Sequence, residues 1–190
     1  MLSQTRLVVG LGNPGAEHAQ DRHNAGFWWT GLLAQRYQIT LKIEARFHAS
    51  FGRSADDLLW LLQPRTYMNA SGRAVAAILS FYKLVPEQVF VVHDELDLVP
   101  GDVRLKYGGG VGGHNGLKDI AAHLGARDFW RLRLGIGHPG ERSQVSNYVL
   151  NAPTTQEQPL IRDAIERSID VWPLIHQGKH QAAMLKLHTK

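Results

Sequence analysis

Three short, almost purely apolar runs constrain this chain more than any other feature. They are Leu7-Val8-Val9, Leu58 to Leu62, and the stretch Gln88 to His93 with Val89, Phe90, Val91 and Val92. Runs this apolar and this short read as strands buried on both faces. Between them lie segments with helical apolar spacing: Ala25 to Tyr37, with Phe27, Trp28, Leu32 and Leu33 on one side, and the alanine-rich Ser71 to Tyr82. Further strands are expected around Leu41 to Gly52, over Val103 to Tyr107, where apolar and basic residues alternate, and over Trp130 to Ile136. A helix is expected from Asn115 to Leu124, and closing helices over Thr155 to Ile175 and Ala182 to Leu187. Strands alternating with helices predict an α/β fold: a single domain over residues 1–190, with a twisted mixed β-sheet flanked by helices on both faces.

Composition removes several classes of function. The chain has no cysteine, which excludes a disulfide scaffold, a thiolate zinc site and a cysteine nucleophile. A hydrophobic share of 44% and a charged share of 20% suit a packed globular chain. No apolar stretch nears the ~20 residues of a membrane helix, and the polar start from Met1 to Arg6 does not read as a signal peptide. A cytoplasmic protein without a membrane partner is expected. The formal charge of +4 permits a polyanionic partner without establishing one.

The polar motifs cluster where strands are expected to end, the edge at which open α/β sheets hold ligands. Gly10-Leu-Gly-Asn-Pro-Gly15 follows the first strand and superficially matches a dinucleotide fingerprint. Pro14 interrupts it, and about ten polar residues precede the next helix, so a glycine-rich turn displaying Asn13 is the better reading. His23, in Asp21-Arg22-His23-Asn24, could be an inert loop histidine or a base. In His93-Asp94-Glu95-Leu96-Asp97, capping is expected for Asp97, whereas Asp94, directly off a buried strand, could orient a histidine. Asn69 and Asn115 stand near helix starts, where N-capping would account for each. The run Gly108-Gly-Gly-Val-Gly-Gly113 is costly in entropy unless its backbone needs positive φ or close approach by a ligand. Lys106 and Arg133 could be a solvated basic face or, if their strands meet, a phosphate clamp. A metal hydrolase built on His93, Asp94, Asp97 and His114 is a competing reading, as is a non-catalytic RNA- or nucleotide-binding module built on Gly10 to Gly15.

Taken together, Gly10 to Gly15, Arg22 to Gly26, Tyr67-Met-Asn-Ala-Ser-Gly72, His93 to Asp97, Gly108 to Lys118 and Arg133-Leu-Gly-Ile-Gly-His-Pro-Gly140 resemble the bacterial peptidyl-tRNA hydrolase family in order and spacing. The resemblance runs from residue 7 to about residue 150. It implies a monomeric α/β esterase that cuts peptide from the terminal ribose of tRNA, recycling peptidyl-tRNA dropped in translation. By motif position, His23 corresponds to the catalytic base, Asp94 to the acid that holds it, and Asn13 to the asparagine that distinguishes N-blocked peptidyl esters. His18, Tyr67, Asn69, Asn115 and His114 fall at substrate positions, and Lys106 with Arg133 at the pair that holds the tRNA 5′-phosphate. The implied partner is peptidyl-tRNA, through its acceptor stem, terminal adenosine and nascent peptide. His18 stands where tyrosine is usual and Tyr67 where phenylalanine is common, and both keep a flat ring.

The chemistry fits these residues. A histidine of pKa near ~6.5 is a suitable base for activating water at neutral pH. No Gly-x-Ser-x-Gly elbow is present, which favours direct attack by water over an acyl-enzyme. Neither a cofactor nor a metal is required.

Overall fold

In the computed structural model, which describes residues 4–188, the first apolar run forms strand β1 (Leu7–Gly10), and all of it is buried. The ends of the expected 1–190 domain, including the polar start at Met1, lie outside the described residues. Successive strand side chains alternate between faces, so Val8 enters one core while Leu7 and Val9 enter another. Six further strands complete the sheet: β2 (Lys42–Glu44), β3 (Ala49–Arg53), β4 (Trp60–Pro64), β5 (Val89–Glu95), β6 (Val103–Tyr107) and β7 (Trp130–Gly135). Their order is β2-β3-β4-β1-β5-β7-β6. The inner strands β4, β1, β5 and β7 run parallel, while β3 and β6 run antiparallel to their inner neighbours and β2 runs antiparallel to β3. The sheet is mixed, as expected.

Helices α1 (Ala25–Arg36), α2 (Ser71–Tyr82), α3 (Asn115–Leu124), α4 (Val145–Val149), α5 (Glu157–Asp170), α6 (Trp172–His176) and α7 (His180–His188) cover both faces. Trp29, Ile165 and Trp172, from α1, α5 and α6, pack on the face of Val8. Ile78 of α2 and Ile120 of α3 pack on the face of Leu7 and Val9.

Local details depart from the sequence expectations. The strand expected over 41–52 is two, because a helical turn at Ala45–Phe47 folds β2 back onto β3. The closing helix expected over 155–175 breaks between α5 and α6 beside Pro173, which has no N–H with which to continue the ladder. Helix α4 has no counterpart among the expectations. Strand β5 runs two residues past His93, because Asp94 and Glu95 pair with Leu134 and Gly135 of β7. Asp94 therefore lies within the strand and is rigidly held.

Two glycines set the approach of α1 to the sheet. A Cβ on Gly26 would meet Leu11 N and Val92 O at 2.4 Å, and one on Gly10 would meet Gly26 O at the same distance. Without side chains there, the start of α1 lies directly on the carboxyl ends of β1 and β5, carrying the preceding residues His23 and Asn24 with it.

Candidate active site

His23 belongs to a single helical turn, Arg22–Asn24, ahead of α1. Arg22 anchors that turn: its guanidinium pairs with Glu157 at 2.8 Å, donates to the carbonyls of Tyr148 and Asn151, and stacks 3.9 Å from the Tyr148 ring centroid. Asn24 ties the turn to the glycine loop, accepting from Asn13 N–H at 2.8 Å and donating to Asn13 O at 3.0 Å. Held from both sides, His23 places Nδ1 2.8 Å from Asp94 Oδ2, and its side chain is only 10% exposed. The other nitrogen, Nε2, has no partner among the described residues.

The second oxygen of Asp94 is also occupied, with His114 Nε2 2.8 Å from Oδ1. His114 Nδ1 accepts the N–H groups of Gly116 and Leu117, so the ring caps α3 and carries its proton on Nε2. Capping, the alternative reading for Asn115, is not its role: it lies exposed at the first residue of the helix. Asn69 caps nothing either: it lies exposed in the turn Met68–Ala70, and α2 has no side-chain cap. Asp97, expected to cap the following turn, is exposed and makes no side-chain hydrogen bond among the described residues.

Charge and burial act against each other here. Burial alone would depress His23, but the charge and hydrogen bond of Asp94, with the charge of Asp21, outweigh it and raise the imidazole above 6.5. Burial would raise Asp94, yet His23 and His114 hold it well below the usual carboxylate range. His93 has no such compensation. Full burial and the proximity of His114 push it down to about 3, although its Nδ1–H donates to Asp94 O at 2.7 Å.

A cleft of about 920 Å³ opens over this group at the carboxyl edge of the sheet, and all ten candidate residues line it. Asn13 is buried; its Oδ1 accepts from Met68 N–H at 2.7 Å, and its Nδ2 has no partner among the described residues. Tyr67 is 67% exposed. His18 is held by Asp21, Nδ1 to Oδ2 at 2.7 Å.

At the far end of the cleft, β6 and β7 bring four cations onto one face. Lys106 lies opposite Arg131, and Arg104 opposite Arg133. Lys106 and Arg133 are thus diagonal neighbours, about 7–8 Å apart along the pleat. They are not equivalent: Arg133 forms a close ion pair with Glu95, whereas Lys106 is exposed with no ion pair among the described residues. Like charges placed opposite one another destabilise a sheet, a cost that a polyanionic ligand would offset.

Arg131 escaped the sequence reading. It is fully buried and donates to the carbonyls of Gly109, Gly110 and Arg127, fixing the glycine run from beneath. Gly108, Gly109 and Gly112 take positive φ there, as the density of glycines suggested. The signal was the two-residue period Arg131–Arg133, which puts both on one face, but the pairing with Lys106 depends on register.

Neither His93 nor Asp97 of the metal reading joins a group of candidate ligand atoms among the described residues. His23, Asp94 and His114 bring candidate ligand atoms within 4.8 Å of one another. The imidazole nitrogens facing Asp94, however, donate protons to its carboxylate and have no lone pair to offer. The dinucleotide reading fails too, because the first α-helix begins at Ala25, well beyond Gly15. Among the described residues no helix is long and apolar enough to cross a membrane.

Known proteins share this architecture and sequence. A solved peptidyl-tRNA hydrolase from Acinetobacter baumannii superposes with a TM-score of 0.94 at 48% identity, covering 98% of this chain and 96% of that one. Peptidyl-tRNA hydrolases of Nitrosospira multiformis and Methylobacillus flagellatus are each 60% identical to it, over 97% of this chain and 98% and 97% of those proteins. The family model described as peptidyl-tRNA hydrolase matches residues 7–190, and the chain belongs to that family.

Proposed function

We propose that His23 is the general base for hydrolysis of peptidyl-tRNA by this chain, with Asp94 holding it. The observation that carries the reading is the 2.8 Å contact between His23 Nδ1 and a buried carboxylate, which leaves Nε2 as the free basic atom on the cleft. Asp94 fixes the tautomer and stabilises the imidazolium. Nε2 takes a proton from water as the water oxygen bonds to the ester carbon. The bond to the ribose oxygen then breaks, and the proton passes to that oxygen. The Asn13 amide N–H, with Asn69 and Asn115 on the same cleft, supplies neutral donors for the ester carbonyl and the peptide amides. Tyr67 and His18 offer flat rings to the terminal adenosine. Lys106 and Arg133 bind phosphate of the acceptor stem. The protein works as a cytoplasmic monomer.

The test is release of an N-acetylated amino acid from its tRNA by wild type and by His23→Ala. Loss of nearly all turnover in a folded variant supports the assignment, and near-native turnover overturns it.

A further inference from the structure

The lining of the cleft is sorted by charge. Lys106, Arg131 and Arg133 stand on β6 and β7, His23 and Asp94 lie over the carboxyl end of β5, and Asn13 follows β1. Beyond Asn13, over β4 and β3, is a second cavity of about 340 Å³ whose walls include Asn13, Phe27, Trp28, Ser50, Gln63 and Arg65. Asn13 lines both cavities.

We propose that this second cavity is a subsite for the nascent peptide, receiving residues upstream of the ester-linked amino acid. The proposal rests on the reading of His23 as the base. If the reacting ester sits at His23 and the polyanion lies along the β6–β7 cations, the peptide leaves on the opposite side, past Asn13.

The walls suit a peptide. Gln63 Nε2 donates to Phe27 O at 3.2 Å and Thr30 Oγ1 at 2.8 Å, which fixes the amide and leaves Oε1 without a partner among the described residues, an acceptor for a peptide N–H. Ser50 is its register partner on β3 and adds a hydroxyl. Trp28 is pinned by its Nε1–H to Ala19 O at 2.9 Å and, with Phe27, supplies aromatic surface. Arg65 is exposed, with no ion pair among the described residues, and so favours an acidic side chain. A single cation is a poor match for RNA, which the β6–β7 end serves better.

The experiment compares wild type, Ser50→Trp and Arg65→Glu on one tRNA carrying either a single N-acetylated residue or longer peptides with upstream aspartate or lysine. Thermal melts confirm folding, and Arg65→Glu at an exposed site keeps the test alive if Ser50→Trp fails to fold. Both variants should cleave the single-residue substrate within about twofold of wild type and lose about tenfold in kcat/KM on the longer ones. Arg65→Glu should also reverse a preference for aspartate into one for lysine. Equal losses at every peptide length would assign the cavity to RNA or to general damage, and no loss at any length would leave it without a role in catalysis; either result overturns the proposal. Wild type that fails to cleave even the single-residue ester would instead overturn the parent reading, before any variant is compared.

Discussion

His114 Nε2 lies 2.8 Å from Asp94 Oδ1, the oxygen that His23 leaves free. The family resemblance implies a substrate contact for His114, and its hydrogen bonds make it a partner of the buried Asp94 carboxylate and the cap of α3. Removing it in His114→Ala strips the buried Asp94 of a charge-assisted bond worth about 1.5–3 kcal/mol. The lost cap adds ~1 kcal/mol. We expect kcat to fall with KM near wild type, and the melting temperature to drop. A rise in KM alone would return His114 to the substrate-binding role.

Lys106 and Arg133 should differ in a way that their charges alone do not suggest. Lys106→Ala should weaken tRNA binding and flatten its salt dependence by roughly one counterion. Arg133→Ala should in addition cost stability, because it leaves Glu95, 17% exposed, without its partner. Glu95→Gln releases the guanidinium and should tighten tRNA binding. Filter binding at several salt concentrations, with urea melts alongside, measures all three, and looser binding by Glu95→Gln would refute the competition.

Stability should depend on pH through His93. Its folded-state value of about 3 lies below the unfolded 6.5. Such a group contributes stability fully above 6.5, and the contribution is lost as pH falls toward 3, because the unfolded chain binds the proton first. Asp94, also depressed, adds its own loss only below the ordinary 3.8. Urea melts at pH 7 and pH 5 should therefore show lower stability at pH 5, with His93→Gln much flatter across that interval. An unchanged slope in the variant would assign the effect elsewhere, with His180 and His188, both depressed by burial, as the next groups to replace.

The sequence made the sheet legible because its buried strands are almost uniformly apolar, and their helices carry clear apolar faces. It marked His23, Asp94 and Asn13 because each stands at a strand end or just before a helix. Order within the sheet was not readable, since the Lys106–Arg131 register is fixed by pairing between β6 and β7. Which residue caps α3 was not readable for the same kind of reason. Both His114 and Asn115 are able to cap, and the choice went to the residue whose other ring nitrogen reaches Asp94, 20 positions away in the chain. Arg131 went unnoticed because a buried arginine looks like a surface one until its three carbonyl partners are in place. Residues 41–52 looked like one strand because the turn at Ala45–Phe47 contains neither glycine nor proline.

The central claim, that Asp94 holds His23 as a base, is tested most directly by the pH dependence of kcat/KM on an N-acetylated aminoacyl-tRNA. The base is the neutral imidazole, so activity should rise with pH, with a midpoint above 6.5 because Asp94 raises His23. Asp94→Asn removes that charge. Its plateau should fall by about 10²–10⁴-fold and its midpoint should move to lower pH. A midpoint that stays in place in Asp94→Asn, with the plateau intact, would contradict the account.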